Sequence, residues 1–428
     1  MDIGFVKIDI TPPIGIRLGG YGHRIGMGST HIIDPLYLRL LYLSNRSGEA
    51  IAIIQLDLLG IYSKDANTIR NIVGKRLGID RKNIMVSTTH THSAPETVIP
   101  MWTHTFPMNN TEKEIYDRWF RILLEGVEEA SEEVKYRINS VYRIKYGSKI
   151  IGNLCFNRAF KDGLVDDELG VLSFESDENR VMVVNYACHP VTNVGLGISA
   201  DYPGVVIDTL RRRGFEAIFL TGGCGDVDPL KKGVRYMSFM GSIIGEEANS
   251  IIASTRNIDY SEDLYVETAR VVLETRRPSK DLDTLLREYE SLKTLYGDPR
   301  NLLFDPSWID LLYLDEELDL LEKSLEKIEA ELQIIRIGDK SLVIGFPGEI
   351  LSETAIEIKR FARSIGFENI ILSAYTNDYI GYIPIRRSFE ENKYEARLAK
   401  WSFVAENSEE IIRWKTFEMV KAIKRSRG

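Results

Sequence analysis

The sequence predicts an α/β fold, with a largely parallel or mixed β-sheet core that is flanked by helices. Two observations support this prediction. Short, nearly all-apolar segments alternate with segments of helical length, a pattern typical of strands buried on both faces. The alternation occurs three times, each time as strand, polar motif, helix, strand and second polar motif. Because 428 residues can bury a large core, we expect one domain over residues 1–428.

The three units have the following predicted elements and motifs. The strands are expected at 50–56, 84–86, 180–187, 217–220, 342–346 and 370–372. The connecting helices are expected at about 63–77, 203–213 and 350–364. The polar motifs begin just after the strands, at Asp57, Thr89-His90-Thr91-His92, Cys188-His189-Pro190, Gly222 to Pro229, Pro347-Gly348-Glu349 and Tyr375 to Tyr382. Since sites in open α/β sheets form beyond the carboxyl ends of strands, the pattern predicts one active site that collects these motifs.

A further segment stands apart from the three units. Residues 282–331 are dense in Glu, Lys and Leu and predict a helical hairpin insertion, broken near Asp298 and Pro299. A lid over the site, an oligomer contact and a simple solvated helical face all fit this pattern. Homo-oligomerisation is therefore left open.

Composition excludes several classes of function. A net charge of −9 without a dense basic run argues against nucleic acid as a partner. No apolar stretch has the length of a membrane span, and the N-terminus lacks the pattern of a secretion signal. We therefore expect a cytoplasmic protein. Scarce glutamine beside plentiful Ile, Glu, Lys and Arg suggests a thermophilic source.

The alternating motif at 89–92 is the strongest chemical signal. Side chains two residues apart on an extended segment point to the same side, so His90 and His92 are expected to face one space. Two imidazoles in one space can serve a metal or a reacting group. The alternative is a polar strand end with two exposed histidines.

A catalytic zinc site needs about three N or O ligands and one open position. His90, His92, His189 and Glu349 are the candidates, and each has an ordinary structural alternative. His189 could be a core histidine with a satisfied ring, and Glu349 could be an acid at a helix N-terminus. Together the four residues form a coherent ligand set for Zn²⁺, which would activate water and polarise a carbonyl.

Other residues are candidates for supporting roles. Asp57 and Asp201 are predicted to accept the second ring N–H of a ligating histidine. Arg158 is a candidate donor to a carbonyl or oxyanion, with a surface ion pair as the alternative. The glycine-rich segment from Gly222 to Asp228 lacks the Lys-Ser/Thr ending of a phosphate-binding loop.

In order along the chain, the motifs resemble those of the neutral/alkaline non-lysosomal ceramidases. The residues that carry the resemblance are Asp9 to Pro13, Thr89 to Pro95, Asn157-Arg158, Cys188 to Pro190, Gly225 to Pro229, Pro347 to Glu349, Gly381 to Pro384 and Tyr394-Glu395. The resemblance implies a zinc amidase in which His90, His189 and Glu349 bind the metal together with a tyrosine. Tyr382 is expected in that role, with Tyr379 as the alternative. It also implies that His92 and Arg158 contact the scissile carbonyl.

Three departures from the family pattern shape the expected function. By this resemblance Asp228 stands where ceramidases have a serine, and we expect a short form that has neither the C-terminal β-domain nor a secretion signal. We therefore expect a zinc-dependent hydrolase that cleaves a non-peptide amide C–N bond by attack of metal-bound hydroxide, on a substrate other than ceramide. Asp228 is a candidate acid–base group, and Asp226 and Tyr379 are expected to support the ligands. The alternatives are an esterase or sugar-derivative hydrolase on the same metal site, and a non-catalytic metal- or ligand-binding protein.

Overall fold

The computed structural model describes residues 1–298, 300, 308–323 and 325–425. The helices of these residues are α1 Ser63–Leu77, α2 Asn110–Glu133, α3 Asp201–Arg212, α4 Val234–Ser254, α5 Leu282–Tyr296, α6 Trp308–Lys323, α7 Ser352–Ser364, α8 Arg386–Glu390 and α9 Ser408–Arg425. The strands are β1 Asp2–Asp9, β2 His31–Ile32, β3 Tyr37–Ser44, β4 Ala50–Leu56, β5 Ile84–Thr88, β6 Asn139–Ile150, β7 Cys155–Asn157, β8 Glu168–Ser176, β9 Arg180–Tyr186, β10 Gly197–Ile198, β11 Glu216–Thr221, β12 Val227–Pro229, β13 Ile258–Asp259, β14 Leu264–Glu274, β15 Lys327–Ile337, β16 Ser341–Gly345, β17 Glu349–Ile350, β18 Asn369–Ser373 and β19 Tyr382–Ile383.

The predicted fold class is confirmed, and the sheets are mixed rather than largely parallel. Among the described residues, one sheet has the strand order β11-β9-β8-β6-β1-β3-β4-β5, with β13 beside β6. A second sheet has the order β14-β15-β16-β18. In these two sheets the described parallel pairs are β4 with β5, β9 with β11 and β16 with β18, and each pair encloses one crossover helix. These are the three predicted units.

Local sequence explains where the helices start and stop. The side chain of Asn109 accepts a hydrogen bond from the backbone N–H of Glu112, whose carboxylate accepts one from the backbone N–H of Asn109. This capping box satisfies two backbone donors at the start of α2, and losing such a cap costs about 1 kcal/mol. Helix α1 ends at Gly78, which adopts a φ of 69° that glycine tolerates without strain.

The two sheets pack face to face, with helices on both outer sides. One buried apolar cluster joins the inner faces and includes Ile53, Val183, Ile218, Val343 and Ile371. Helices α1 and α2 cover one end of the larger sheet, α3 and α4 cover the other end, and α7 and α9 cover the smaller sheet. Because nearly every strand of the three units is buried on both faces, their apolar runs are continuous rather than alternating.

The carboxyl ends of the three parallel pairs meet at one place. The Ser87 and Ser373 hydroxyls lie 2.8 Å apart, which joins the first unit to the third. Thr221 Oγ1 donates to the carbonyl of Thr89 over 2.8 Å and joins the second unit to the first. The N–H of Ala374 donates to the carbonyl of Thr221 over 2.9 Å and closes the triangle. The motifs that follow these strands are thereby brought to a common centre.

The insertion contains α5 and α6, but its predicted range was too long. Residues 327–331 were assigned to the hairpin, whereas Lys327 begins β15 and pairs with Glu274 of β14. The alternation of that segment suits an antiparallel strand, and pairing with a long neighbour overrides its helix-forming Lys and Glu content. Of the predicted break, Asp298 lies beyond the end of α5 and Pro299 falls outside the described residues.

In the part of the chain that the structure describes, no helix has both the length and the apolar character that crossing a bilayer requires.

Candidate active site

His90 lies just after β5 and is almost completely buried. Its backbone adopts a φ of 66°, so the chain leaves the extended conformation at this residue. Ring atom Nδ1 lies 2.6 Å from the carbonyl of Leu59, and the ring stacks on Tyr375 at a centroid distance of 3.8 Å. Since a carbonyl only accepts, Nδ1 carries the proton and Nε2 presents a lone pair.

His92 faces the same space as His90, although not for the predicted reason. The two Nε2 atoms lie 3.2 Å apart. The motif is a turn rather than a strand, and the left-handed backbone at His90 brings the rings together. Room for the His92 ring depends on Gly20, where a Cβ would stand 2.3 Å from His92 Nδ1 and where φ is +88°. Burial holds the pKa of His92 well below its usual value, so its imidazole is neutral.

His189 and Glu349 form the second half of the cluster. His189 Nδ1 lies 2.6 Å from the carbonyl of Cys224, which places a proton on Nδ1 and leaves Nε2 to bind a second proton or a metal ion. That Nε2 lies 3.0 Å from Glu349 Oε2, and His90 Nε2 lies 3.6 Å from the same oxygen. Burial opposes ionisation of Glu349, but the imidazoles of His90 and His189 lower its pKa to about 2.

This cluster needs a cation. A carboxylate oxygen and an imidazole lone pair repel each other at 3.0 Å unless a positive charge lies between them. In the absence of a metal, a proton on His189 can supply that charge, and the pKa of His189 is raised to about 10 despite burial, with Cys224 and Glu349 favouring the imidazolium.

The residues also fit a divalent metal ion. Two ligands bonded at about 2.0–2.1 Å in tetrahedral geometry stand roughly 3.3 Å apart. The separations of 3.0, 3.2 and 3.6 Å among these ligand atoms bracket that value. The ligand atoms of His90, His92 and His189 all lie within 4.8 Å of one another. Imidazole and carboxylate donors in a buried setting are the donor set that zinc takes in catalytic sites.

Three tyrosines surround Glu349 and Arg158. The Tyr379 hydroxyl donates to Glu349 Oε1 over 2.5 Å, and that of Tyr375 reaches Oε2 at 3.4 Å. The Tyr382 hydroxyl instead accepts from Arg158 Nη2 over 2.8 Å. Glu349 and Tyr382 are neighbours because β17 pairs with β19 in parallel and these two residues are in register. The sequence placed Tyr375 in a polar motif, but no role was predicted for it. Its position beside His90 depends on a left-handed backbone at residue 375 that no sequence pattern marks.

Arg158 is held by four acceptors rather than standing free. Its guanidinium donates to Glu395 Oε1 over 3.0 Å, to Asp228 Oδ1 over 2.9 Å, and to the carbonyl of Gly225 and the Tyr382 hydroxyl. Pairing of β7 with β12 puts Arg158 beside Asp228. Burial would raise the pKa of Asp228, but Arg158 and then His189 and Lys232 lower it, so the carboxyl is ionised.

The predicted partners of the histidines are corrected by the structure. Asp57 accepts from Arg39, Gln55 and the backbone of Tyr37. Asp201 accepts from Thr192 and from the backbone N–H groups of Asn193 and Tyr202. Neither bonds a histidine, because the second ring nitrogens of His90 and His189 are taken by backbone carbonyls of neighbouring loops.

Asp226 supports the loops rather than a histidine. Its carboxylate accepts from Asn157 Nδ2 over 2.7 Å and from the backbone and side chain of Ser352 over 2.8 and 2.9 Å. It therefore ties the segment before Arg158 to the segment after Glu349.

A cavity of about 580 Å³ adjoins the cluster, and His92 is the cluster residue that lines it. Residues from distant parts of the chain line it, among them Tyr21, His92, Arg158, Asp228, Lys232, Tyr382 and Tyr394. Sequence reasoning missed Lys232, whose Nζ lies 2.9 Å from Asp228 Oδ2. The opposite charges four residues apart were a signal that could have indicated this pair.

Comparisons with known proteins agree with this architecture. No protein-family model matches the sequence. The sequence is 22% identical over 418 residues to the neutral ceramidase of Pseudomonas aeruginosa, a match that covers 82% of this chain and 61% of that relative. The chain thus spans less than two thirds of the length of the curated relative.

Two solved structures match almost the whole chain. The crystal structure of neutral ceramidase from Pseudomonas aeruginosa has a TM-score of 0.75 at 17% identity, covering 99% of this chain and 74% of that one. A structure of ceramidase complexed with C2 has a TM-score of 0.74 at 17% identity, covering 99% and 75%. The resemblance that the motifs predicted is confirmed: the chain is similar in sequence to a neutral ceramidase and has the neutral ceramidase fold.

Proposed function

We propose that the protein is a zinc-dependent hydrolase that cleaves the C–N bond of a non-peptide amide. The observation that supports this most is the convergence of three buried imidazoles and a carboxylate, with His189 Nε2 only 3.0 Å from Glu349 Oε2. The likeness to neutral ceramidase in sequence and fold supports an amide as the bond that is cleaved.

His90, His189 and Glu349 would hold the metal, with Tyr382 beside them. A zinc ion bound there lowers the pKa of water toward neutrality and polarises a carbonyl group. Leu59 and Cys224 fix the tautomers of the two histidines through their carbonyls, and Tyr379 fixes the rotamer of Glu349. These contacts pre-organise the ligands before any ion is bound.

His92 and Tyr382 orient the scissile carbonyl. His92 is neutral and lines the cavity. Burial keeps the Tyr382 hydroxyl protonated, with its pKa well above the ordinary value. Because that hydroxyl accepts from Arg158, its own proton is free to be donated to the carbonyl oxygen as negative charge develops there. In this proposal Arg158 acts through Tyr382 and is a positioning residue.

Asp228 has a positioning role as well. A carboxyl whose pKa is lowered by Arg158 is a poor donor of a proton to a leaving nitrogen. Its two oxygens instead hold Arg158 and Lys232 at 2.9 Å each. Asp228 therefore links Arg158, which orients Tyr382, to Lys232, which also lines the cavity.

The test combines metal analysis with a substrate panel. Purified protein should contain about one zinc per chain and should hydrolyse at least some members of a panel of short amides faster than the matched esters. His90→Ala should lower both bound zinc and kcat/KM by at least about a hundredfold. His31→Ala, which changes an exposed histidine of β2, is the matched control.

Three results would count against the proposal. Folded protein that binds no divalent metal, or that binds zinc and cleaves neither amides nor esters, would contradict it. Preference for esters over the matched amides would instead favour the esterase alternative.

A further inference from the structure

The reaction centre opens into two compartments of different chemistry. The polar compartment is the cavity of about 580 Å³ that holds Arg158, Asp228, Lys232, Lys393 and Glu395. The aromatic compartment has about 490 Å³ and is lined by Met101, Trp308, Leu312, Tyr313 and Trp401. Four residues belong to the walls of both, namely Gly20, Tyr21, Asn392 and Tyr394. Both volumes are those of small-ligand sites.

The polar compartment carries alternating charges. Asp228 pairs with Lys232 at 2.9 Å, and Lys393 pairs with Glu391 at 3.0 Å. Glu395 is almost fully buried, and its Oε2 has no hydrogen-bond partner among the residues that the structure describes. Because that oxygen is closed to solvent, the charged groups that a ligand in this compartment can contact are the partly exposed ones, Asp228, Lys232 and Lys393.

The aromatic compartment has a wall of a different kind. Helix α6 contributes Trp308 and Leu312, and the facing wall is Trp401, which stacks with Tyr394 at a centroid distance of 6.3 Å. Trp401 is also almost fully buried, and its indole N–H has no hydrogen-bond partner within the described residues. A flat apolar group would bury surface against these aromatic rings.

These two compartments make the site fit an amphiphilic amide. Building on the proposed function, we propose that the substrate joins a polar group that offers both hydrogen-bond donors and acceptors to a compact aromatic or branched apolar group. The polar group lies among Asp228, Lys232 and Lys393, and the apolar group lies between Trp308 and Trp401. The scissile bond then lies beside His92, Arg158 and Tyr382, which line the polar compartment near its junction with the aromatic one.

An amide with two long apolar chains fits these walls poorly. One chain would have to cover the partly exposed charges of Asp228, Lys232 and Lys393 without offering them a hydrogen-bond partner. Removing water from charged groups without a replacement partner is strongly unfavourable. An amino acid or an amino sugar as the polar part satisfies both donors and acceptors, and these two sources share the chemistry that the compartment recognises.

A panel of phenylacetyl and acetyl amides tests this specificity on the metal-loaded protein. The amine part is serine, glucosamine or hexylamine in each series, and N-palmitoylsphingosine in mixed micelles is the lipid reference. We expect kcat/KM for phenylacetyl-serine or phenylacetyl-glucosamine to be at least about tenfold higher than for phenylacetyl-hexylamine. It should also be at least about tenfold higher than for the acetyl amide of the same polar amine. The two polar amines separate the amino acid source from the sugar source.

Two variants assign each preference to its compartment. Trp308→Ala should reduce the ratio of phenylacetyl to acetyl activity, and Lys232→Met should reduce the ratio of polar to apolar amine activity, each by about tenfold. Trp414→Ala and Lys415→Met, which change residues of α9 away from both compartments, should leave the ratios unchanged.

Calorimetric binding of the same compounds keeps this inference separate from the proposed function. If no amide is hydrolysed, the proposed function fails, yet a tenfold tighter binding of the amphiphilic compounds would still support the compartments. If amides are hydrolysed but hexylamides or N-palmitoylsphingosine are turned over as well as the polar amides, the inference is overturned and the proposed function stands. Equal binding of all compounds would also overturn it.

Discussion

Two buried clusters of ionisable groups differ in where their positive charge comes from. Around Lys400, the carboxylates of Glu316 and Asp319 surround an ammonium that belongs to the chain. Around His189, the carboxylate of Glu349 faces imidazole nitrogens that carry a positive charge only when a proton or a metal ion is bound. The first cluster contains a permanent cation of the chain, whereas the second takes its positive charge from an exchangeable one.

The surroundings of each cluster match that difference. Asp319 also accepts from Thr103 over 2.7 Å, and Lys400 donates to the carbonyl of Pro100, so the first cluster fastens α6 to two loops. The second lies at the bottom of a cavity, where the carboxyl ends of three strand pairs meet. Burial of charge therefore has a structural purpose in one place and indicates a binding site in the other.

The largest effect expected from this comparison is that of Glu349→Gln. Removing the negative charge removes the group that requires a cation, so bound zinc should be lost and kcat/KM should fall by at least about a thousandfold. Metal content by elemental analysis and steady-state kinetics on the best amide measure both. Glu316→Gln is the matched control and should keep its metal and most of its activity. Full metal content in Glu349→Gln would show that the comparison is mistaken.

Lys400→Met tests the closed cluster. The substitution keeps an apolar stem of similar length but leaves the carboxylate of Asp319, and that of Glu316 where it is ionised, without their cation. Such a loss should lower the free energy of unfolding by about 3 kcal/mol, measured by urea denaturation. The control Lys415→Met breaks a surface pair with Glu418 and should cost less than about 1 kcal/mol. Equal effects of the two variants would mean that the buried cluster does not fasten α6.

The closed cluster should also make stability depend on pH. Burial raises the pKa of Glu316 to about 8 from an ordinary value of 4.5, although Lys400 opposes the rise. Between these two values the folded protein holds one more proton than the unfolded chain, so the stabilisation falls as pH rises and is lost above about pH 8.

The pH effect is measured by comparing the stability of the native protein with that of Glu316→Gln. The free energy of unfolding of the native protein, relative to Glu316→Gln, should fall by about 1–4 kcal/mol between pH 5 and pH 8.5. Urea denaturation at several pH values provides it. Parallel curves for the two proteins would place the Glu316 pKa near its ordinary value.

Much of the fold could be predicted because its signals are local. Apolar runs of strand length and the periodicity of Ser63–Leu77 depend on neighbours in sequence, and the structure has those elements where they were expected. The pairing of the units into two mixed sheets depends on contacts between distant segments, which periodicity does not encode. The same limit explains why β15 was taken for helix, since its strand state depends on β14.

The sequence predicted which residues form the site, but not which groups hydrogen-bond to them. His90, His92, His189 and Glu349 were predicted from motifs after strands, and the structure brings them together. Asp57 was given the wrong partner because its contact to Arg39 arises from strand register. Backbone carbonyls that fix imidazoles have no signature in side-chain sequence. Five expectations stay predictions: the identity of the metal, the roles of the site residues, the cytoplasmic location, the thermophilic source and the single domain.

The smallest expected effect belongs to Asp228→Ser, which restores the residue that the ceramidase pattern has. Arg158 would lose one acceptor but keep Glu395, the carbonyl of Gly225 and the Tyr382 hydroxyl, so Tyr382 stays oriented. Activity on the best polar amide should therefore fall by no more than about tenfold, or about 1.4 kcal/mol. Lys232, freed from its partner, should weaken the discrimination against apolar amines. Steady-state kinetics on the polar and hexyl amides measure both changes. A loss as large as that of Glu349→Gln would instead place Asp228 in the chemical step.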